Sequence, residues 1–224
     1  MRQKLLRKYS IIIIAIAATL LAILIYLVYY HPISHIDIAF SRDLQSEGDT
    51  GLSRTLFFSI FRSISFLGIP VVAGVMIVLS ALLFWFFGYF RESIYILITV
   101  VGTPIEELAK LIIGRPRPPA DVVKIIDQQS SPSFPSGHVV FFTIFFGFLI
   151  AAMIINKKIK LWIRVALASI STILVVLVSF SRVYLGSHWI SDVIGGYLVG
   201  IIILCMILYF YLKPIFKISD RIKI

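Results

Sequence analysis

Long apolar runs alternate with short polar ones along this chain, and the lengths of the apolar runs decide the fold class. A helix that crosses a ~30 Å hydrocarbon layer needs about 20 predominantly apolar residues. Six stretches meet or approach that length, near 10–30, 69–90, 93–113, 138–155, 161–181 and 192–212. The fourth is the shortest, yet Phe141 to Ile155 is unbroken. The pattern predicts an all-α, polytopic membrane bundle of six transmembrane helices. The first run has a basic start like that of a secretory signal. It is too apolar for too long, and no small-residue cleavage site follows, so a retained helix is expected.

The polar interval 31–68 carries a pattern of its own. Leu56, Phe57, Ile60, Phe61, Ile64 and Leu67 recur at helical spacing, with Ser59, Arg62 and Ser63 opposite. This predicts an amphipathic helix in the first extracytoplasmic loop, packing on the bundle or walling a path for lipid. Gly68 and Pro70 should then break or redirect it.

Composition narrows the picture further. The 224 residues are 59% hydrophobic and 14% charged, with a mean hydropathy of +1.00. That excludes a soluble globular protein, and it leaves room for one membrane-embedded domain over 1–224 with no separate soluble domain. A net charge of +10 raises the question of nucleic acid, but the placement of the charges argues for membrane lipids and no nucleic acid. Basic residues cluster at Arg2, Lys4, Arg7 and Lys8, at Lys157, Lys158, Lys160 and Arg164, and at Lys213, Lys217, Arg221 and Lys223. With Arg91, these put thirteen of the 21 Lys and Arg on one side of the bundle. The positive-inside rule then predicts cytoplasmic termini, and polar clusters facing the extracytoplasmic side of the plasma membrane. The single Cys205 permits neither an intrachain disulfide nor a thiolate metal cluster.

Three polar clusters interrupt the greasy background, each at a predicted helix end on that outer face. Lys110 precedes Arg117-Pro118; Pro135-Ser136-Gly137-His138 opens the fourth run; Ser181-Arg182, His188 and Asp192 bracket the start of the sixth. Three permanent cations, two histidines, a carboxylate and a Gly-flanked serine suit a tetrahedral dianion such as phosphate. Such groups are costly beside membrane segments unless they are used. Gly137 allows close backbone approach, and the unpaired N–H groups of a first helical turn attract anions. His188 and Asp192, four apart, would stack on one helical face, the carboxylate orienting the imidazole. Glu106 is placed to hold Lys110. His31 and His35 are also four apart, but Pro32 lies between them and no third ligand is near, so no metal is expected. No cofactor motif is evident either.

These three segments carry a family resemblance. Lys110-x6-Arg117-Pro118, Pro135-Ser136-Gly137-His138 and Ser181-Arg182-x5-His188-x3-Asp192 resemble the three-part signature of the type 2 phosphatidic acid phosphatase superfamily, in order and spacing. That superfamily shares its phosphate pocket with vanadium haloperoxidases and glucose-6-phosphatase. The resemblance covers roughly 70–212 and implies a metal-independent phosphatase. His188 would attack phosphorus to give a phosphohistidine, with Asp192 holding its ring. His138 would protonate the leaving oxygen and then activate water. Lys110, Arg117, Ser136, Gly137 and Arg182 would bind the phosphate oxygens, and Arg115 would be a supporting or leaving-phosphate contact. The small size resembles bacterial members, and an outward-facing site favours undecaprenyl diphosphate as the lipid substrate. Phosphatidic acid and phosphatidylglycerophosphate are the alternatives. Two other classes stay open: a phosphotransferase, in which an acceptor outcompetes water, and a transporter that only binds an anionic lipid.

Overall fold

A computed structural model of the chain describes residues 2–47 and 51–213; Lys217, Arg221 and Lys223 of the last basic cluster lie outside the described residues. Every regular element described is helical. In order these are α1 (Arg2–Tyr30), α2 (His35–Glu47), α3 (Gly51–Leu67), α4 (Pro70–Phe86), α5 (Phe90–Ile98), a 3₁₀ turn (Thr99–Val101), α6 (Gly102–Ile113), α7 (Gly137–Ile155), α8 (Leu161–Tyr184) and α9 (Ile190–Tyr211).

The central helix is α7, and its sequence explains why. It is apolar on every side, which suits a helix surrounded by others rather than one with a wet or lipid-facing stripe. Of its apolar window 61% is buried, against 11% in α1 and in α8. Phe142, Phe145, Phe148, Ala152 and Met153 form the middle of the core. Both α8 and α9 pack along α7, α1 lies against α9, α3 against α8, and α4 against α5. Helices α7 and α9 approach closely because α9 presents glycines to α7. A Cβ at Gly196 would come within 2.9 Å of the Ser136 carbonyl, and one at Gly200 within 2.6 Å of Thr143. Small residues at such contacts let helices pack without any hydrophobic drive from the surrounding lipid. The large exposed side chains of α1 and α4, among them Ile16, Ile23, Val71 and Phe86, face outward, as a lipid-contacting surface requires.

The expected crossings are built in two ways. Four described helices are long and apolar enough to cross a membrane by themselves: Leu5–Tyr30, Gly137–Ile155, Leu161–Tyr184 and Ile190–Tyr211. The predicted second run is α4, which joins α3 across a 66° bend and makes a fifth span if the bent pair is counted as one. The bend falls at Gly68–Pro70, where a proline at the first position of α4 starts a new helix. The predicted third run is divided into α5, the 3₁₀ turn and α6. Helix α3 covers the predicted periodic segment and buries Phe61, Ile64 and Ser65. Helix α2 was not anticipated.

Candidate active site

The three polar clusters meet at one end of the bundle, where α6 and α8 end and α7 and α9 begin. Helix α6 stops at Gly114, whose left-handed φ of 62° favours glycine. The prolines at 116 and 118 then keep the chain extended, and the two arginines of this run leave in different directions.

Arg115 is turned inward and is 2% exposed. Its Nε donates to the Pro32 carbonyl at 2.9 Å, Nη1 to Ser191 Oγ at 2.7 Å and to Asp192 Oδ1, and Nη2 to Asp37 Oδ2 at 2.8 Å. Asp37 also accepts from the Ser191 N–H at 3.1 Å, the Ser191 hydroxyl at 2.6 Å and the Ser34 hydroxyl at 2.9 Å. Ser34 in turn caps α2 by accepting from the Asp37 N–H at 3.1 Å. The first turn of α2 is thereby tied to the first turn of α9.

Arg117 instead faces His188. Its Nε donates to the Ser131 carbonyl at 2.6 Å and its Nη1 to the Ser187 carbonyl at 2.7 Å, and Nη1 lies 3.3 Å from His188 Nε2. A guanidinium has only donors, so this contact requires a lone pair on Nε2 and places the proton of a neutral imidazole on Nδ1. Nδ1 lies 3.5 Å from Asp192 Oδ2. The pair is not stacked on a helix as expected. His188 sits in the turn before α9, and Asp192 closes that turn by accepting from the Trp189 N–H at 2.9 Å. At 3.5 Å the carboxylate lies beside Nδ1 without a hydrogen bond, and Nδ1 makes none among the described residues. Burial pushes His188 well below the ordinary imidazole pKa, helped by Arg182, Arg117 and Lys110 and opposed by the Ser133 backbone. A histidine so placed is neutral.

Arg182 is wholly buried. Its Nη1 donates to Ser65 Oγ at 2.5 Å and to Asp127 Oδ2 at 3.0 Å, while Nε and Nη2 have no partner among the described residues. Ser65 also fixes His138, whose Nε2 lies 3.0 Å from the Ser65 carbonyl. Lys110 pairs with Glu106, as expected, and with Glu107 at 3.3 Å. What approaches Gly137 is the Glu106 carboxyl group, whose carbon would lie 2.7 Å from a Cβ there. Ser136 caps α7 by position, its N–H donating to the Asp192 carbonyl at 3.1 Å. Its buried hydroxyl has no partner among the described residues.

All eight expected residues are therefore joined through shared partners: Lys110, Arg117, Ser136, Gly137, His138, Arg182, His188 and Asp192. Several buried donors of the cluster, Arg182 Nε and Nη2 and the Ser136 hydroxyl, thus have no acceptor among the described residues. Unsatisfied buried donors are expensive, and a multiply charged oxyanion is the ligand that would satisfy them together. Sequence reasoning missed Asp37, Ser65, Asp127 and Ser191. Only Asp37 left a sign, as the third helical residue after a capping serine. His31 and His35 are exposed, and among the described residues no group of three His, Cys, Asp or Glu side chains gathers as a metal site would require.

The chain is similar to several known phosphatases. The chain is 31% identical over 118 residues to phosphatidylglycerophosphatase B of Bacillus subtilis, covering 50% of this chain and 55% of that one. It is 27% identical over 164 residues to an undecaprenyl-diphosphatase of Sulfolobus acidocaldarius, covering 63% and 71%. The match thus spans about half the length of the Bacillus relative. In fold, the structure resembles the crystal structure of a transmembrane PAP2-type phosphatidylglycerolphosphate phosphatase from Bacillus subtilis. The TM-score is 0.71 at 21% identity, covering 87% of this chain and 93% of that one. Residues 91–216, a stretch that begins at α5 and takes in all three polar clusters, match the PAP2 superfamily, and the chain belongs to it.

Proposed function

We propose that this chain is a lipid phosphatase that removes a terminal phosphate without a metal ion, through a phosphohistidine at His188. The observation that carries the reading is the set of buried donors without an acceptor among the described residues, Arg182 Nε and Nη2 and the Ser136 hydroxyl, in the same cluster as a neutral histidine.

In the first step the His188 Nε2 lone pair attacks the terminal phosphorus in line. The P–O bond to the lipid breaks as His138 gives its proton to the leaving oxygen, and a P–N bond replaces it. Asp192 stabilises the positive charge that develops on the ring at Nδ1. In the second step His138 takes a proton from water, the oxygen attacks phosphorus, and the P–N bond breaks to release inorganic phosphate. Lys110, Arg117 and Arg182, with Ser136 and the Gly137 N–H, bind the equatorial oxygens and offset the charge of the transition state.

Residues 1–224 act in this reading as one membrane-embedded domain with six crossings, α3–α4 and α5–α6 supplying the second and third. The termini are cytoplasmic and the site lies at the outer surface of the plasma membrane, where a lipid reaches it sideways with its tails still in the bilayer. The basic clusters support that orientation. The preferred substrate is undecaprenyl diphosphate, converted to undecaprenyl phosphate, in keeping with an outward-facing site and with one relative's name. Phosphatidylglycerophosphate is the second reading, because another relative is named for it.

The test is phosphate release by purified protein in detergent with EDTA. Undecaprenyl diphosphate, phosphatidylglycerophosphate and phosphatidic acid are compared, with His188→Ala alongside. Release that disappears in the variant supports the phosphatase, and the rank order of lipids identifies the substrate. Folded protein that releases phosphate from none of them overturns the reading in favour of a transferase or a transporter.

A further inference from the structure

A cavity of about 220 Å³ reaches His138. One wall is the end of α3 and the start of α4, with Arg62, Ser65, Phe66 and Ile69; the other is the loop through Ile126, Asp127 and Gln129. Among the described residues that line it, Arg62 is the only lysine or arginine. If His138 protonates the leaving oxygen, as in the function proposed above, the leaving group must lie against His138 and therefore in this cavity.

Leaving groups differ in charge. The leaving group of a lipid monophosphate is a neutral alcohol once His138 has protonated it, whereas that of a lipid diphosphate is a lipid phosphate that still carries negative charge on its other oxygens. The cavity is unwelcoming to that charge at one point, because Asp127 lies on its wall with its side chain 37% exposed. A cation is needed to offset it. The other cations of the site are held by neighbouring groups, and in the proposed reaction Lys110, Arg117 and Arg182 face the terminal phosphate. Arg115 is held by Asp37 and Asp192, Lys110 by Glu106 and Glu107, and Arg182 by Asp127. Arg117 is held against His188 and the Ser131 and Ser187 carbonyls. Arg62 has no carboxylate partner among the described residues; its guanidinium sits 5.5 Å from the Phe58 ring centroid. It lies three residues before Ser65, hence on the same face of α3, and Ser65 is the residue that contacts both His138 and Arg182.

We propose that Arg62 binds the phosphate on the lipid side of the scissile bond, so that this site favours lipid diphosphates over lipid monophosphates. The inference rests on the phosphatase reading. It requires that the charge of Arg62 matter for one class of substrate and not for the other, which a mere interfacial anchor would not produce.

Farnesyl diphosphate and farnesyl monophosphate share a tail and differ by one phosphate, and detergent micelles remove any effect of a charged bilayer. In that system Arg62→Gln should lower kcat/KM for the diphosphate by about tenfold or more, leave the monophosphate within about twofold, and be partly rescued by Arg62→Lys. Retained monophosphate hydrolysis also shows that the variant folds. Equal losses on both substrates, or no loss on either, would overturn the assignment of Arg62. Absence of phosphate release from both by the unaltered protein would overturn the phosphatase reading itself, before any variant is compared.

Discussion

Arg115 and Arg117 differ by two positions and by almost everything else. Arg115 is enclosed between two carboxylates, whereas Arg117 contacts the ring nitrogen proposed to attack phosphorus. Replacing Arg115 with Ala leaves Asp37 and Asp192 buried without their cation, and should cost about 3–5 kcal/mol of stability, read as a large fall in unfolding midpoint. Arg117→Ala should lower the midpoint less than Arg115→Ala and lose about 10²–10³ in kcat, because in the proposed reaction its guanidinium offsets the charge that develops on the phosphate oxygens. The spacing from Lys110 distinguishes these two arginines in the sequence. It gives no hint of Asp37, which lies far upstream in the chain and meets Arg115 only through the fold. His188 carries a pH prediction. Its pKa in the free protein is depressed, so it stays neutral, and able to attack, at pH values where an ordinary histidine is charged. The acid limb of kcat/KM should therefore lie below about 6.5, the unperturbed value. An acid limb above that value would show that His188 is not held as the geometry requires.

Elements were legible to the extent that burial follows local pattern. Helix α7 is apolar on all sides and central; α1, α8 and α9 are long and apolar and occupy their predicted places. Helix α2 was illegible because its first turn buries a charged group, Asp37, that hydropathy assigns to solvent, and only its cross-chain partners make that burial tolerable. The 93–113 run reads as one helix by composition, yet the 3₁₀ turn at Thr99–Val101 divides it. At the break between α3 and α4, Gly68 and Pro70 account for the bend but not for its consequence. A Cβ on Gly68 would fall 2.8 Å from Cγ and 2.9 Å from Nε2 of His138. Gly68→Ala should therefore displace the His138 ring and lower kcat by at least about tenfold, since a displacement on the order of 1 Å can cost far more. Far-ultraviolet circular dichroism should be unchanged, because the substitution lies outside both helices. Full activity in this variant would mean that the ring can move without penalty, or that His138 does not transfer the proton.

On the scale of the whole molecule, the apolar runs are enough to make a bundle, and each polar cluster lies at a helix end, so the bundle brings the clusters together. That much follows from the order of segments along the chain. The cross-braces do not. Asp37 joins α2 to α9 and Ser65 joins α3 to α7 and α8, so the interval 31–68 that read as a loop with one helix becomes a wall of the site. The proposed chemistry stands on His188 as the group that becomes phosphorylated. Its most direct test is an alkaline quench of the protein turning over lipid diphosphate labelled in the terminal phosphate, followed by mapping of the labelled peptide. An alkali-stable, acid-labile label is expected on His188, with neither label nor turnover in His188→Ala. A label on another residue, or turnover by His188→Ala at the parent rate, would contradict it.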